Sequence, residues 1–468
     1  TLQHVYNCKK NNRRWAIMSE YAKYFEIIDK LTDNILEAEQ YIWKNPETGY
    51  REWKTHKYLA EKYRDLGYKL KEAGNIPGFT ADIDTGRPGP RILIFGEMDS
   101  LICNDHPDCD PETGAVHACG HNAQSAALLG IAEALVQPGI MDNLCGSIRL
   151  CAVPAEELIE IGYRESLRKA GVINYLGGKV EFLHRGYLDG CDISFMIHSG
   201  GAANHFSTNK GNNGCVLKNI EYKGKAAHAG GSPHDGINAL YAANLGLNAI
   251  NALRETFKDG DHIRVHPIIT YGGTAVNAIP SNVKIENYVR GATFECIGEV
   301  NKRVNRALAA SAAAMGANVE ISDRPGYAPL INDVELNKLA VRAMKAVVPE
   351  ENVSYNPDGW GTGCTDMGDM SAVIPSIHPH CGGTSGTGHG NDYRIADPIS
   401  ACVNSAKMQL ALVDILLRDN AAEAKRVIDC ANLRYKSVDE YFKAINAFVR
   451  DGDAVNYRTD GVIELTMA

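Results

Sequence analysis

Segments of helical period alternate with short apolar runs along the chain before Gly211, and this alternation limits the fold more than any other feature. "SEYAKYFEIIDKLTDNILEAEQYIWKN" and "EWKTHKYLAEKYRDLG" carry apolar residues at three-to-four spacing, the first stopped before Pro46. "FTADID" and "RILIFGEMD" read as strands; the second is apolar up to Phe95 and so is expected to be buried on both faces. The order then repeats through "HNAQSAALLGIAEAL", "GSIRLCAVPAEE", "YRESLRKAG" and "CDISFMIH". Such alternation predicts an α/β fold with a mostly parallel sheet and helices on both faces.

The rhythm changes near Gly211. "CVLKNIEYKGK", "IRVHPIITYGG", "NVKIENYVRGAT" and "NVEISD" read as strands, with long helices at "GINALYAANLGLNAINALRETF" and "GEVNKRVNRALAASAAAMG". Four antiparallel strands backed by two helices make a ferredoxin-like α+β unit. It is read as an insert over 211–323, splitting a catalytic domain into 19–210 and 324–419. Residues 420–468 are expected to form a C-terminal helical extension, and the basic opening before Met18 is given no part in the fold.

Charge and cysteine usage narrow the partners. A net charge of -9 argues against nucleic acid or an anionic membrane. No uninterrupted apolar run has the roughly 18–20 residues that span a bilayer. The 13 cysteines are odd in number and scattered, as expected of reduced thiols in a cytoplasmic protein.

Ligand-type residues gather where the predicted strands end, the edge at which open α/β sheets bind ligands. Asp99 ends "RILIFGEMD", Glu156 and Glu157 end "GSIRLCAVPAEE", and His198 ends "CDISFMIH". Cys119 and His121 stand two apart in "HACGHN", at the mouth of a helix. His389 lies in the glycine-rich "CGGTSGTGHGNDY". Any one of these has a bland reading as a core or capping residue. Together they predict a metal site. Neighbouring residues in extended chain point opposite ways, so one of Glu156 and Glu157 can bind metal while the other faces substrate.

The ordered set "GEMDSL", "HACGHN", "VPAEE", "FMIHSG", "YKGKAAHAGGSPHDGINAL", "GGTAVNAIPSN" and "GHG" resembles metallopeptidase family 20, and most closely its amidohydrolase branch. That branch includes hydrolases of N-acyl and aminobenzoyl amino acids. The resemblance runs from about Glu20 to Asp419 and implies two divalent metal ions per subunit. It implies Cys119 as the bridging ligand, with His121, His198, Glu157 and His389 as further ligands. It implies Glu156 as the general base and Asp99 as the carboxylate that steers a ligand. His228, in "KAAHAGGSPH", matches a lid histidine that enters the partner subunit's site, and Asn277 matches a lid group near substrate. A homodimer through the inserted domain is therefore expected. Arg290, on a neighbouring strand, is a candidate for a substrate carboxylate because its fork donates two parallel hydrogen bonds. Thiolate favours zinc, while the oxygen and nitrogen ligands also admit manganese, cobalt or nickel.

Two features depart from the branch. Asn122 stands where it often has Asp, and "CTDMGDMS" leans toward aminobenzoyl-glutamate hydrolases. The stretch "ICNDHPDCDPETGAV" adds Cys103, His106 and Cys109 at no standard zinc spacing and is read as plain loop. The expected activity is amide hydrolysis of a small N-acyl or aminobenzoyl amino acid. A deaminase of an aromatic amine on the same scaffold is the alternative. A non-catalytic metal- or peptide-binding protein would have no need of Glu156. A cysteine hydrolase using Cys119 and His121 lacks an orienting third group.

Overall fold

The computed structural model describes residues 20–466, so the basic opening and Met18 lie outside the described residues. The chain forms two compact units. The first holds the described residues through Lys210 together with Ile331–Gly359 and Met370–Arg434. The second holds Gly211–Leu330, Trp360–Asp369 and the chain from Tyr435 onward.

The first unit is built on a six-stranded sheet. Its order is Leu70–Glu72, Phe79–Asp84, Ser147–Val153, Arg91–Glu97, Ile193–Phe195 and Ser376–Ile377. The last four run parallel, and the first two add an antiparallel edge. Ser147–Val153 is buried at every position, and Arg91–Glu97 from Ile92 on, as parallel strands covered on both faces require. Helix His121–Leu135 is buried along its whole length. It lies close on the sheet because Gly96 has no side chain: a Cβ there would meet Ser125 Cα at 3.2 Å and Leu128 Cβ at 3.2 Å. Leu128 is 2 % exposed, so its truncation to alanine should cost about 2–5 kcal/mol.

Three local readings change. The first long helix divides into Ala22–Lys30 and Thr32–Trp43 at Leu31. Helix Gly178–His184 has too few residues to show a period, and the sequence reading passed over it. Helix Ile399–Cys430 is long and apolar enough to cross a membrane by length and composition, but 89% of that window is buried inside the protein.

The second unit centres on an antiparallel sheet that packs with helices Ala239–Leu253 and Phe294–Ala314. Gly214–Lys223 pairs with Asn282–Gly291 on one side and with Asn318–Pro325 on the other. The sheet has five strands rather than the expected four. "IRVHPIITYGG" splits into Arg264–Val265 and Ile268–Tyr271, both paired with Asn282–Gly291. Pro267 separates them because it has no N–H to give to the ladder.

The C-terminal stretch is helical only in part. Helical geometry fails over Arg418–Ala421, resumes to Cys430, and returns in Val438–Asn446. The chain then closes a hairpin, Val455–Tyr457 against Ile463–Leu465. Gly461, at φ 85°, follows Asp460 in its turn, an Asp-Gly signal of the kind that favours hairpins over helix. Bridges from Asp453 to Glu320 and from Arg450 to Asp323 tie this stretch to the inserted sheet.

Candidate metal centre

The carboxyl ends of the parallel strands bring the predicted residues of the first unit together. Asp99, fully buried, is the hub. Its Oδ1 lies 3.1 Å from His121 Nδ1, and its Oδ2 accepts from the Glu157 backbone N–H at 2.8 Å. The Asp99 carbonyl also accepts from His121 Nδ1 at 2.9 Å. That leaves His121 Nε2 as the nitrogen facing the crevice, the arrangement by which a carboxylate fixes a metal-binding imidazole. His198 is oriented likewise: its Nδ1 is 2.8 Å from the Ser199 carbonyl, and its Nε2 is 3.3 Å from Cys119 Sγ. His389 Nε2 lies 3.1 Å from Glu157 Oε1.

Two groups of three ligand atoms meet at one sulfur. Cys119, His121 and His198 form one group and Cys119, Glu157 and His389 the other, with the ligand atoms of each within 4.8 Å of one another. Ligands held about 2.0–2.3 Å from one metal ion sit about 3–3.7 Å from their neighbours. The observed separations of 3.1 and 3.3 Å fit that edge. Glu157 Oε1 and His121 Nε2 are buried and complete no hydrogen bond among the described residues. The donor set of thiolate, imidazole and carboxylate therefore fits a pair of divalent ions sharing Cys119.

Electrostatics point the same way. Burial and the Glu157 carboxylate push the Cys119 thiol up, but His198 and His121 outweigh them and bring it down to about 6. Burial presses His121 down, yet Glu97, Cys119 and Asp99 raise it well above the ordinary imidazole range. Against burial, Cys119 also raises His198. Glu157 is desolvated but falls below the usual carboxylate range because His389 faces it, and His389 rises mainly through Glu157. Protons thus sit where cations would bind, and a metal ion exchanges for them. His117, His378 and His380 behave oppositely: burial drives all three down, His117 and His380 to about 3.

The loop carrying Glu156 and Glu157 is held under strain. Ala155 adopts φ 56°, uncommon for a residue with a Cβ. Buried Glu52 accepts the Ala155 N–H at 2.8 Å, and Arg164 Nη1 donates to its carbonyl at 3.3 Å. Strain of this kind persists only where its surroundings over-determine it. Here it turns the two carboxylates apart: Glu156 Oε2 lies 4.0 Å from His121 Nε2, while Glu157 faces His389. His389 is itself at φ 65°, and its N–H donates to the Ala118 carbonyl at 2.9 Å, which docks the glycine-rich loop beside Cys119.

The sequence reading missed Glu52, Glu97 and Lys179. Glu97 Oε2 lies 3.2 Å from His121 Nε2, and Glu97 Oε1 accepts from Lys179 Nζ at 2.5 Å. Only its place two residues before Asp99 hinted at this. Lys179 arrives on the short helix that no period revealed.

His228, Asn277 and Arg290 belong to the second unit. His228 and Asn277 share a short backbone ladder: Ala229 N–H donates to the Asn277 carbonyl and Ile279 N–H to the Ala227 carbonyl, each at 2.9 Å. His228 Nδ1 accepts from the N–H groups of Gly230 and Gly231 at 3.1 and 2.9 Å, which makes Nε2 the donating nitrogen of the neutral ring. Arg290 pairs in register with Cys215, and its guanidinium lies 5.2 Å from the Tyr288 ring centroid. Burial opposes its charge, and Cys364 and Cys215 support it. In the loop after Asp99, His106 has both nitrogens engaged, by the Tyr393 carbonyl at 2.8 Å and the Asp108 N–H at 3.1 Å. That suits a loop-folding residue.

The family described as Peptidase family M20/M25/M40 matches residues 93–414, more than half of the chain. A curated Xaa-Arg dipeptidase of Mus musculus is 27% identical over 86% of this chain and 90% of its own length. The indole-3-acetyl-aspartic acid hydrolase of Enterobacter agglomerans is 32% identical over 53% of this chain and 55% of its own. Among solved structures, a dinuclear metal binding peptidase of Bacillus subtilis aligns with a TM-score of 0.61 at 20% identity, covering 83% of this chain and 99% of that one.

Proposed function

Since the chain belongs to peptidase family M20/M25/M40, we propose that it is a binuclear metal-dependent amidohydrolase. It is a hydrolase acting on carbon–nitrogen bonds. The proposed bond is the amide of a small N-acyl or aminobenzoyl amino acid, or of a dipeptide-like substrate. The observation that carries this reading is the pair of ligand triads sharing Cys119.

Cys119, His121 and His198 would hold one ion, and Cys119, Glu157 and His389 the other. Zinc or manganese suits this set, with cobalt or nickel as substitutes. Such a pair, when bound, activates water and polarises the scissile carbonyl. Glu156, next to the ligand Glu157 but turned from it, takes the water's proton and hands it to the departing nitrogen. Asp99 holds His121 in the tautomer that leaves Nε2 for metal. His228 offers Nε2–H to the carbonyl oxygen as charge develops there.

The substrate class rests on what the relatives are named for. Xaa-Arg dipeptides and indole-3-acetyl-aspartic acid are both amides of an amino acid, with a free carboxylate on the amine side. We assign that carboxylate to Asn277 and Arg290. We also propose a homodimer through the second unit, in which His228 serves the partner's site. Strand Ile268–Tyr271 is exposed at all four positions, and Tyr241 and Leu245 are exposed on helix Ala239–Leu253. An apolar open edge of this kind invites pairing with a second copy. A cytoplasmic location fits the scattered thiols.

The test is a product screen with metal-reconstituted protein. N-acyl amino acids, aminobenzoyl-glutamate and dipeptides ending in basic residues are offered in parallel. Release of a free amino acid from one class is expected. Ammonia as the product would establish a deaminase instead, and no turnover in any metal form would overturn the reading.

A further inference from the structure

We infer that Glu97 is a further ligand for the ion held at His121, aimed by the buried side chain of Lys179. The inference rests on the binuclear reading and extends it to residues outside its ligand set.

A third group of ligand atoms, from Glu97, His121 and Glu156, lies within 4.8 Å and is buried throughout. It shares His121 with the Cys119–His121–His198 group. An ion at that imidazole would meet Cys119 from the turn before helix His121–Leu135, His198 from strand His198–Ser199 and Glu97 from the end of strand Arg91–Glu97. The Glu97 Oε2 to His121 Nε2 separation of 3.2 Å is that of two neighbours around one ion. Neither atom completes a hydrogen bond among the described residues, and both side chains are 1 % exposed. Two unsatisfied buried polar atoms facing each other are costly unless something with positive charge joins them.

Lys179 explains why the carboxylate points there. Its side chain is 0 % exposed, it contacts Glu97 Oε1 at 2.5 Å, and its Nζ lies 5.4 Å from the Phe95 ring centroid. A lysine so deep needs a counter-ion. By engaging one oxygen it leaves the other for the crevice. This division also separates the roles of two neighbouring carboxylates: Glu97 is committed to the ion, and Glu156 remains the base.

The experiment measures metal rather than turnover. Wild type, Glu97→Gln, Lys179→Met and the double variant are stripped, reloaded with zinc, and titrated against a chromophoric chelator. Metal content is read by mass spectrometry and folding by circular dichroism. Wild type should bind two ions. Glu97→Gln should weaken one of them by about 10–100-fold, the range seen when a group supporting a metal site is lost. Lys179→Met should still bind both, with the same ion weakened by less than in Glu97→Gln, because the ligand oxygen remains but is no longer aimed. The double variant removes both buried charges together, so it tests the loss in a chain with no uncompensated ion. It should match Glu97→Gln. Wild-type affinity for both ions in the double variant overturns the assignment. So does equal weakening by Lys179→Met alone, which would make the pair a packing device. A wild-type chain that binds no divalent ion overturns the binuclear reading itself, and is thereby distinct from failure of the Glu97 assignment.

Discussion

The two units hold their polar side chains in opposite ways. In the first, Asp99, His121, Glu156 and Glu157 are buried at the ends of a covered sheet, and Asp99 alone ties the His121 ring to the Glu157 backbone N–H. In the second, His228 and Asn277 are exposed on loops joined mainly through main-chain hydrogen bonds. Metal coordination tolerates errors of a few tenths of an ångström, which only a packed and over-determined setting guarantees. Substrate recognition tolerates more, and loops can supply it. On the proposed function this is a division of labour, in which the sheet ends would fix the chemistry and the insert what is admitted.

The sharpest way to break this comparison is at the two adjacent glutamates. Glu156→Gln should lower kcat by about 10³-fold, within the range for a general base, and leave metal content unchanged. Glu157→Ala should lose metal as well as activity. Chelation should abolish activity in wild type, and added zinc or manganese should restore it. Equal metal loss in the two glutamate variants, read by elemental analysis, would show that the strained Ala155 turn does not divide their roles.

Next in size is His228→Ala in the second unit. Losing one donor to a developing oxyanion costs about 10²–10³-fold in kcat. Metal content should not move. Refolding the His228→Ala and Glu156→Gln chains together should restore activity in the mixed dimers. Differently tagged chains that co-purify yet stay inactive would place His228 within its own subunit or outside catalysis. Asn277→Ala, or esterifying the substrate carboxylate, should act on KM and cost about 10–100-fold in kcat/KM, as expected for a hydrogen bond to a charged group. Equal kinetics on the blocked substrate would remove the carboxylate from recognition.

The same division explains what was legible beforehand. Asp99, Glu156, Glu157 and His198 stood out because each ends a run of apolar residues, and a polar group there has few structural uses. Cys119, His121 and His389 stood out by residue type and by glycine-rich surroundings. Glu97 did not, because the strand read from the sequence ran on to Asp99, whereas the strand itself ends at Glu97. Lys179 lies 82 residues further on, in a helix too short to have a period, and no local pattern links the two. Glu52 is missed for the same reason, since its partner Ala155 is 103 residues away. In the second unit the strand split at Pro267 had a visible cause, and the Asp460-Gly461 turn had a visible signature. The helical pattern upstream outweighed that signature. Residue type reveals ligands; only the fold reveals which buried charges answer one another.

The smallest effect is in pH, and it separates the units most finely. In the metal-free chain His121 and His389 are both raised, so both carry protons at neutral pH, whereas a metal ligand must be neutral imidazole. Each proton displaced makes binding about tenfold tighter per pH unit below that group's raised value. Cys119, brought down to about 6, is already mostly thiolate at pH 7 and adds to the slope only in more acid solution. Zinc affinity should therefore tighten by about tenfold or more between pH 6 and 7, with proton release. Calorimetry in two buffers of different ionisation heat counts those protons. His228→Ala should leave both slope and count unchanged, because the second unit supplies no ligand. His389→Ala should lower the count, since its proton is one of those exchanged. A pH-independent affinity would mean that the imidazoles of the first unit are not where the ions bind.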